Sequence, residues 1–238
     1  MRPNVAVIGV GHLGQHHARI YREMGEIQFV GSFDSDPKKS NFPTLAALAD
    51  AADAVSVATP TETHFNVAKI FLERGKHVLV EKPITETVEQ ARELISVATS
   101  AKRVLQVGHL ERFNPVIVAA ERELAGARFI ECQRLAPFKE RGTDVNVVLD
   151  LMIHDIDIVQ SIVGRPIESI DAVGTPVFSG AVDIANARLR FEGGCVADVT
   201  ASRVSLKTER RMRVFRGDAY LSLDLQHRIL TVIRKRSE

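Results

Sequence analysis

A glycine turn wedged between a short apolar run and an amphipathic stretch decides most of what the first half of this chain can become. Val5-Ala6-Val7-Ile8 is an unbroken apolar run, the pattern of a strand covered on both faces, and it ends at Gly9. The segment Gly9-Val10-Gly11-His12-Leu13-Gly14 then leads into a helix over Leu13 to Met24, stopped by Gly25. In a G-x-G-x-x-G so placed, Gly9 permits a tight turn, Gly11 lets the backbone come close to a pyrophosphate, and Gly14 lets helix and strand pack closely. Phosphate oxygens would rest on free N–H groups at the helix N-terminus, where the dipole favours negative charge.

The same alternation continues. Ile27 to Phe33, Ala54 to Ala58, Val78 to Val80 and Val104 to Val107 read as strands. Glu62 to Arg74 and Val88 to Ala101 read as helices, the second opened by a capping box of Thr87 and Gln90. Only a short helix, Thr44 to Ala51, fits after the breaker-rich Pro37 to Pro43. Strand and helix in turn imply crossovers, hence a parallel sheet with helices on both faces. Asp34 stands twenty residues beyond Gly14, where a carboxylate accepts hydrogen bonds from an adenosine ribose. It repels a 2′-phosphate, and Ser35-Asp36 supplies no arginine to hold one, so NAD is expected over NADP.

From about Arg128 the pattern changes. Arg128 to Leu135 reads as a strand and Asn146 to Val163 as a helix stopped by Gly164. Ser169 to Val173, Ile184 to Phe191, Cys195 to Arg203, Arg211 to Phe215, Tyr220 to Leu223 and Arg228 to Ile233 follow as strands, with a turn at Glu192-Gly193-Gly194. The expectation is therefore α/β: a Rossmann doubly wound parallel sheet over residues 1–115, then an α+β domain with an open, mainly antiparallel sheet over 116–238.

Charge and composition exclude several partners. Lys+Arg 31 against Asp+Glu 30 leaves a net charge of +1, no global attraction to a polyanion or an anionic membrane. No apolar run approaches the roughly 18 residues of a membrane span, and the N-terminus carries no signal-peptide pattern. Few aromatics and no Trp argue against base stacking. Cys132 and Cys195 are read as small buried residues in a reducing cytoplasm, no metal site is expected, and Arg234-Lys235-Arg236 is read as a solvated tail.

Two more loops fall at carboxyl ends of strands, where open α/β sheets bind ligands. Thr59-Pro60-Thr61 is one, with Thr61 suited to cap the next helix. Glu81-Lys82-Pro83 is the other; the proline holds Lys82 extended, its ammonium turned towards a ligand.

Four motifs in order, GVGHLG at 9–14, ATPTETH at 58–64, VEKP at 80–83 and DLMIHDID at 150–157, resemble the Gfo/Idh/MocA family of NAD(P)-dependent sugar and cyclitol oxidoreductases. The resemblance spans nearly the whole chain. It implies that His12, Leu13, Thr59, Pro60, Thr61, His64, Glu81 and Lys82 join Gly9, Gly11, Gly14 and Asp34 in holding the cofactor. It further implies that Lys82, Asp150 and His154 face the nicotinamide and the substrate, and that a cis peptide precedes Pro83. On a helix, Asp150 and His154 form an i, i+4 pair on one face. His154 suits the general base by its titration range, Lys82 the alcohol oxygen, and Asp150 substrate orientation or the tuning of Lys82. A lysine crowded by a cation can itself become the base, so that division stays open.

Gly108 to Pro115 and Arg134 to Phe138 resemble the branch acting on nucleotide-linked amino sugars, the UDP-N-acetylglucosamine 3-dehydrogenases. Arg112, Phe113, Asn114 and Arg134, with Arg141, become candidate substrate contacts, arginines being suited to a diphosphate. Asn114-Pro115 also reads as a plain helix cap and first-turn proline. The implied reaction oxidises the sugar C3 hydroxyl, a step that in some bacteria leads to the diamino sugar of lipid A. A free sugar, an inositol or a UDP-sugar acid as substrate, a tetrapyrrole or similar ketone as substrate of a reductase, and a dinucleotide sensor without turnover are the alternatives. Family members continue beyond a middle strand of the second sheet, near where Glu238 falls here; a sheet edge left open there favours a homodimer or homotetramer through the C-terminal sheet.

Overall fold

The short apolar runs of the first half become the strands of one sheet, and those over Asn4–Ile8 and Ala54–Val57 are the most deeply buried. The computed structural model describes residues 1–139 and 145–235, so Arg141 and Arg236 lie outside the described residues. The chain divides into two compact units, Met1–Gly108 and His109–Glu238, which places His109 to Pro115 with the second.

In the first unit, β1 (Asn4–Ile8), β2 (Gln28–Phe33), β3 (Ala54–Val57), β4 (His77–Val80) and β5 (Leu105–Val107) form a parallel sheet in the order β2-β1-β3-β4-β5. The order reverses between β1 and β3, the switch point at which such sheets bind ligands. Helices α1 (Gly14–Glu23), α2 (Leu45–Ala51), α3 (Thr61–Glu73) and α4 (Val88–Ala101) make the crossovers. Thr44 caps α2, and Thr87 with Gln90 forms the expected capping box on α4. Thr61 caps nothing: it is the first residue of α3, and the hydroxyl that bonds the Pro60 carbonyl belongs to Thr63, at 2.7 Å. Ala6, Val7, Val57, Phe71, Leu72, Val80 and Leu94 are completely buried.

The second unit opens with α5 (Pro115–Leu124), capped by Asn114, and β6 (Phe129–Leu135). The stretch expected as one helix is two: a π-helical turn over Val148–Met152, then α6 (Ile153–Val163). Then come β7 (Ile167–Thr175), β8 (Ile184–Phe191), β9 (Val196–Ser202), β10 (Glu209–Phe215), β11 (Ala219–Asp224) and β12 (Ile229–Arg234). Seven strands lie in the order β12-β11-β10-β6-β9-β8-β7, all neighbours antiparallel except β6 with β9. Among the described residues, β12 lies at one end of this order and β7 at the other. Alternate residues of β6, β8, β9 and β11 are buried in a core shared with α5 and α6, and Cys132 and Cys195 are buried free thiols. The other face carries polar cross-strand pairs, among them Arg213 on Glu131 at 3.0 Å and Arg188 on Asp198 at 3.3 Å.

Candidate active site

The three glycines of the first turn meet different surroundings. Gly9 has φ +82°, and a Cβ there would stand 2.7 Å from the Ala58 carbonyl oxygen. At Gly14 a Cβ would fall 1.7 Å from the Gly9 carbonyl oxygen, so helix and turn touch backbone to backbone. At Gly11 it would meet nothing within 4 Å. The turn is therefore closed on its inner side and open at Gly11, where His12 and Leu13 are also exposed: the cradle a pyrophosphate needs.

Asp34 closes the turn from β2. The Val10 N–H donates to its Oδ2 at 2.6 Å and the Asp36 N–H to its Oδ1 at 2.9 Å. Partial burial pushes this carboxyl up, but the Asp36 and Val10 amides and nearby Lys39 outweigh it and hold it below the usual carboxylate range. Oδ1 also accepts the Ser35 hydroxyl at 3.4 Å, so at about two positions per carboxylate oxygen one remains, on Oδ2, for a ribose hydroxyl. Beside it opens a cleft of about 470 Å³ lined by Phe33, Ser35, Pro37, Asn41 and Phe42. These features fit an adenosine dinucleotide.

The 59–64 and 81–83 loops are tied together by a histidine. His64 is 1% exposed, with Nδ1 2.9 Å from the Pro83 carbonyl oxygen and Nε2 2.9 Å from that of Thr59. This corrects its assignment to the cofactor: the ring is buried, and each of its nitrogens faces a backbone carbonyl. Thr59 is half-buried and Pro60 exposed. The Lys82–Pro83 peptide is cis, as the resemblance implies.

Glu81 is likewise buried rather than turned to a ligand. Its Oε2 lies 3.3 Å from the Lys82 N–H, Oε1 lies 3.0 Å from His17 Nε2, and Gly108 packs against the carboxylate. His17, on α1, also has Nδ1 2.6 Å from Ser56 Oγ. No spacing in the sequence pairs His17 with Glu81; only the crossover of α1 does.

In the second unit, Asp150 falls in the π-helical turn and His154 in the first turn of α6, both half-buried. They are not an i, i+4 pair of one regular helix, because the π turn carries an extra residue; such turns are frequent at functional sites. The neighbouring acids have separate tasks. Asp155 receives Arg134 through Nε at 2.9 Å and Nη2 at 2.8 Å, both side chains being 3% exposed. Burial pushes the Asp155 carboxyl up, against the pull of Arg134. Arg134 is thus a buried structural partner, not the substrate contact expected of it.

Arg112 clasps Asp157 through two bonds of 2.6 Å while staying half exposed, and Phe113 beside it is exposed. Asn114 accepts the Val116 N–H at 3.2 Å and donates to the Leu225 carbonyl at 2.9 Å, so it acts as a cap and tie rather than as a ligand contact. Among the described residues no group of three or more His, Cys, Asp or Glu could hold a metal ion, and no helix is long and apolar enough to cross a membrane.

Residues 3–109 match the family model described as "Oxidoreductase family, NAD-binding Rossmann fold", and residues 126–220 match the GFO/IDH/MocA C-terminal domain. The chain is 39% identical to a UDP-N-acetylglucosamine 3-dehydrogenase of Acidithiobacillus ferrooxidans, over 96% of this chain and 76% of that protein. It is 28% identical to a scyllo-inositol 2-dehydrogenase (NAD(+)) of Bacillus subtilis, over 84% of this chain and 67% of that one. A solved structure of the Acidithiobacillus enzyme superposes with a TM-score of 0.95 at 38% identity, covering 100% of this chain and 82% of that one.

Proposed function

The chain belongs to the GFO/IDH/MocA oxidoreductase family, and from that membership we propose that it oxidises the C3 hydroxyl of UDP-N-acetylglucosamine to the ketone with NAD. The similarity to a dehydrogenase of that substrate, running through both units, carries the reading. In bacteria that make a diamino-sugar lipid A, this ketone is the substrate for the transamination that follows.

The amides of the Gly9–Gly14 turn hold the pyrophosphate, and Asp34 holds the ribose and turns away a 2′-phosphate. When bound, the nicotinamide supplies the acceptor for the hydride leaving C3. Lys82 donates a hydrogen bond to the alcohol oxygen and steadies its growing negative charge. His154 withdraws the hydroxyl proton, and Asp150 orients the sugar. Arg112, held by Asp157 yet half exposed, meets the diphosphate, with Phe113 beside it. The polar outer face of the second unit's sheet pairs with a second copy of the chain, and the enzyme works in the cytoplasm.

The test is incubation with UDP-N-acetylglucosamine and NAD, read at the NADH absorbance. Signal from this sugar nucleotide is expected. Silence there with signal from an inositol or a free hexose overturns the substrate; NAD binding without turnover of any alcohol points to a sensor.

A further inference from the structure

Beneath the Glu81-Lys82-Pro83 loop lies a set of buried polar side chains for which the reaction above has no use. Ser56, on β3, has no exposed surface, and Glu81 is nearly as buried. His17 reaches both, Nδ1 to Ser56 Oγ at 2.6 Å and Nε2 to Glu81 Oε1 at 3.0 Å. Oε1 has no other partner among the described residues, and although the His17 N–H does not point straight at it, His17 is the group that answers this buried oxygen. Tyr21, one turn further along α1, packs edge-on against the His17 ring.

We propose that His17 is a positioning residue for Lys82: bonded to Ser56 and set against the Glu81 carboxylate, it keeps that carboxylate at the Lys82 amide and fixes the loop that carries Lys82. The tautomer follows from the inventory of donors and acceptors. A carboxylate only accepts, so Nε2 of His17 carries the proton. Nδ1 then accepts from the Ser56 hydroxyl. That tautomer sets a proton against Oε1, whereas the other sets a lone pair against the carboxylate. The order Ser–His–Glu is that of a hydrolase relay, but a serine without exposed surface meets no substrate carbonyl. What remains is a brace. It joins α1, β3 and the loop after β4.

The proposal rests on the reading of Lys82 as a group that touches the substrate, and two measurements separate the two. Nitrogen-15 spectra of the full chain, with the His17 signals identified by their loss in His17→Gln, report the tautomer; Nε2 protonated and Nδ1 bare is expected. In turnover of UDP-N-acetylglucosamine, His17→Leu lowers kcat about tenfold through misplacement of Lys82. NAD affinity, read by fluorescence titration, stays unchanged, and His17→Gln, which keeps a donor towards Glu81, recovers most of the loss. A proton on Nδ1 overturns the proposal, and so does His17→Leu with wild-type kcat or His17→Gln as impaired as His17→Leu. Should the wild type oxidise no sugar, or His17→Leu not fold, the tautomer of the wild type alone decides the brace; sugar inactivity by itself counts only against the substrate reading.

Discussion

The carboxylate of Asp34 accepts the N–H of Val10 at 2.6 Å, so the residue that would hold the ribose also fastens the glycine turn. Titration should show NAD binding tighter than NADP. Asp34→Asn should weaken NAD by about tenfold or more, the worth of a charge-assisted hydrogen bond, and narrow the gap to NADP. A reversed preference in the wild type would sink this role. Stability follows the same group. Its folded value lies below its unfolded one, so the stabilisation is present above the unfolded value, near 3.9, and disappears as pH falls through the folded value. Urea unfolding of Asp34→Asn should show its full deficit at pH 7 and a deficit that shrinks as the pH falls below the unfolded value.

Gly11 and Gly14 should separate binding from folding. A methyl at residue 11 meets open space, whereas one at residue 14 collides with the Gly9 carbonyl. Gly11→Ala should melt with the wild type yet bind NAD less well, because the methyl occupies the phosphate's approach. Gly14→Ala should lower the melting temperature as well. Equal melting losses would mean that the turn differs from the one described.

Lys82→Ala and His154→Ala should each cut kcat by ~10² or more while leaving NAD affinity intact. Stopped-flow and equilibrium titration check the two parts. Wild-type turnover in His154→Ala would move the base to Lys82.

Arg134 and Asp155 form a buried pair, and removing one partner strands the other's charge. Arg134→Met should cost about 3–5 kcal/mol of unfolding free energy. The double change Arg134→Met with Asp155→Leu should regain much of it. Denaturant unfolding measures both, and additive losses would show that the two do not act as a pair.

His64→Ala should remove the ring N–H from whichever of the Thr59 and Pro83 carbonyls it serves, at about 1–3 kcal/mol. Loss of NAD affinity far beyond the loss of stability would restore the direct cofactor role that the geometry denies.

Much of this was legible because spacing along one chain maps onto one turn or one strand. The G-x-G-x-x-G and Asp34 lie on consecutive elements, and the capping box of Thr87 and Gln90 is local by nature. The strands could be read from unbroken apolar runs in the first half and from alternating, β-branched ones in the second, down to β8 at its observed ends. What failed depends on tertiary direction. His64, Glu81 and Arg134 are polar residues beside a ligand loop or within a motif, and nothing in the sequence says whether such a side chain turns outward or into the core. Arg134 turns inward because β6 alternates and its even-numbered residues face the core. The π turn escaped because Val148 to Met152 carries no breaker, only apolar residues around one acid.

That turn has a consequence for the register of an acid against a base. Excising one residue between 148 and 152 would let the segment relax into ordinary α-helix. Asp150 would then swing around the axis by about 100°, the rotation of a single helical residue, relative to His154. The angle between the two side chains is therefore set by length rather than by identity. A chain keeping both residues but lacking that surplus one would present a differently spaced pair to the same sugar.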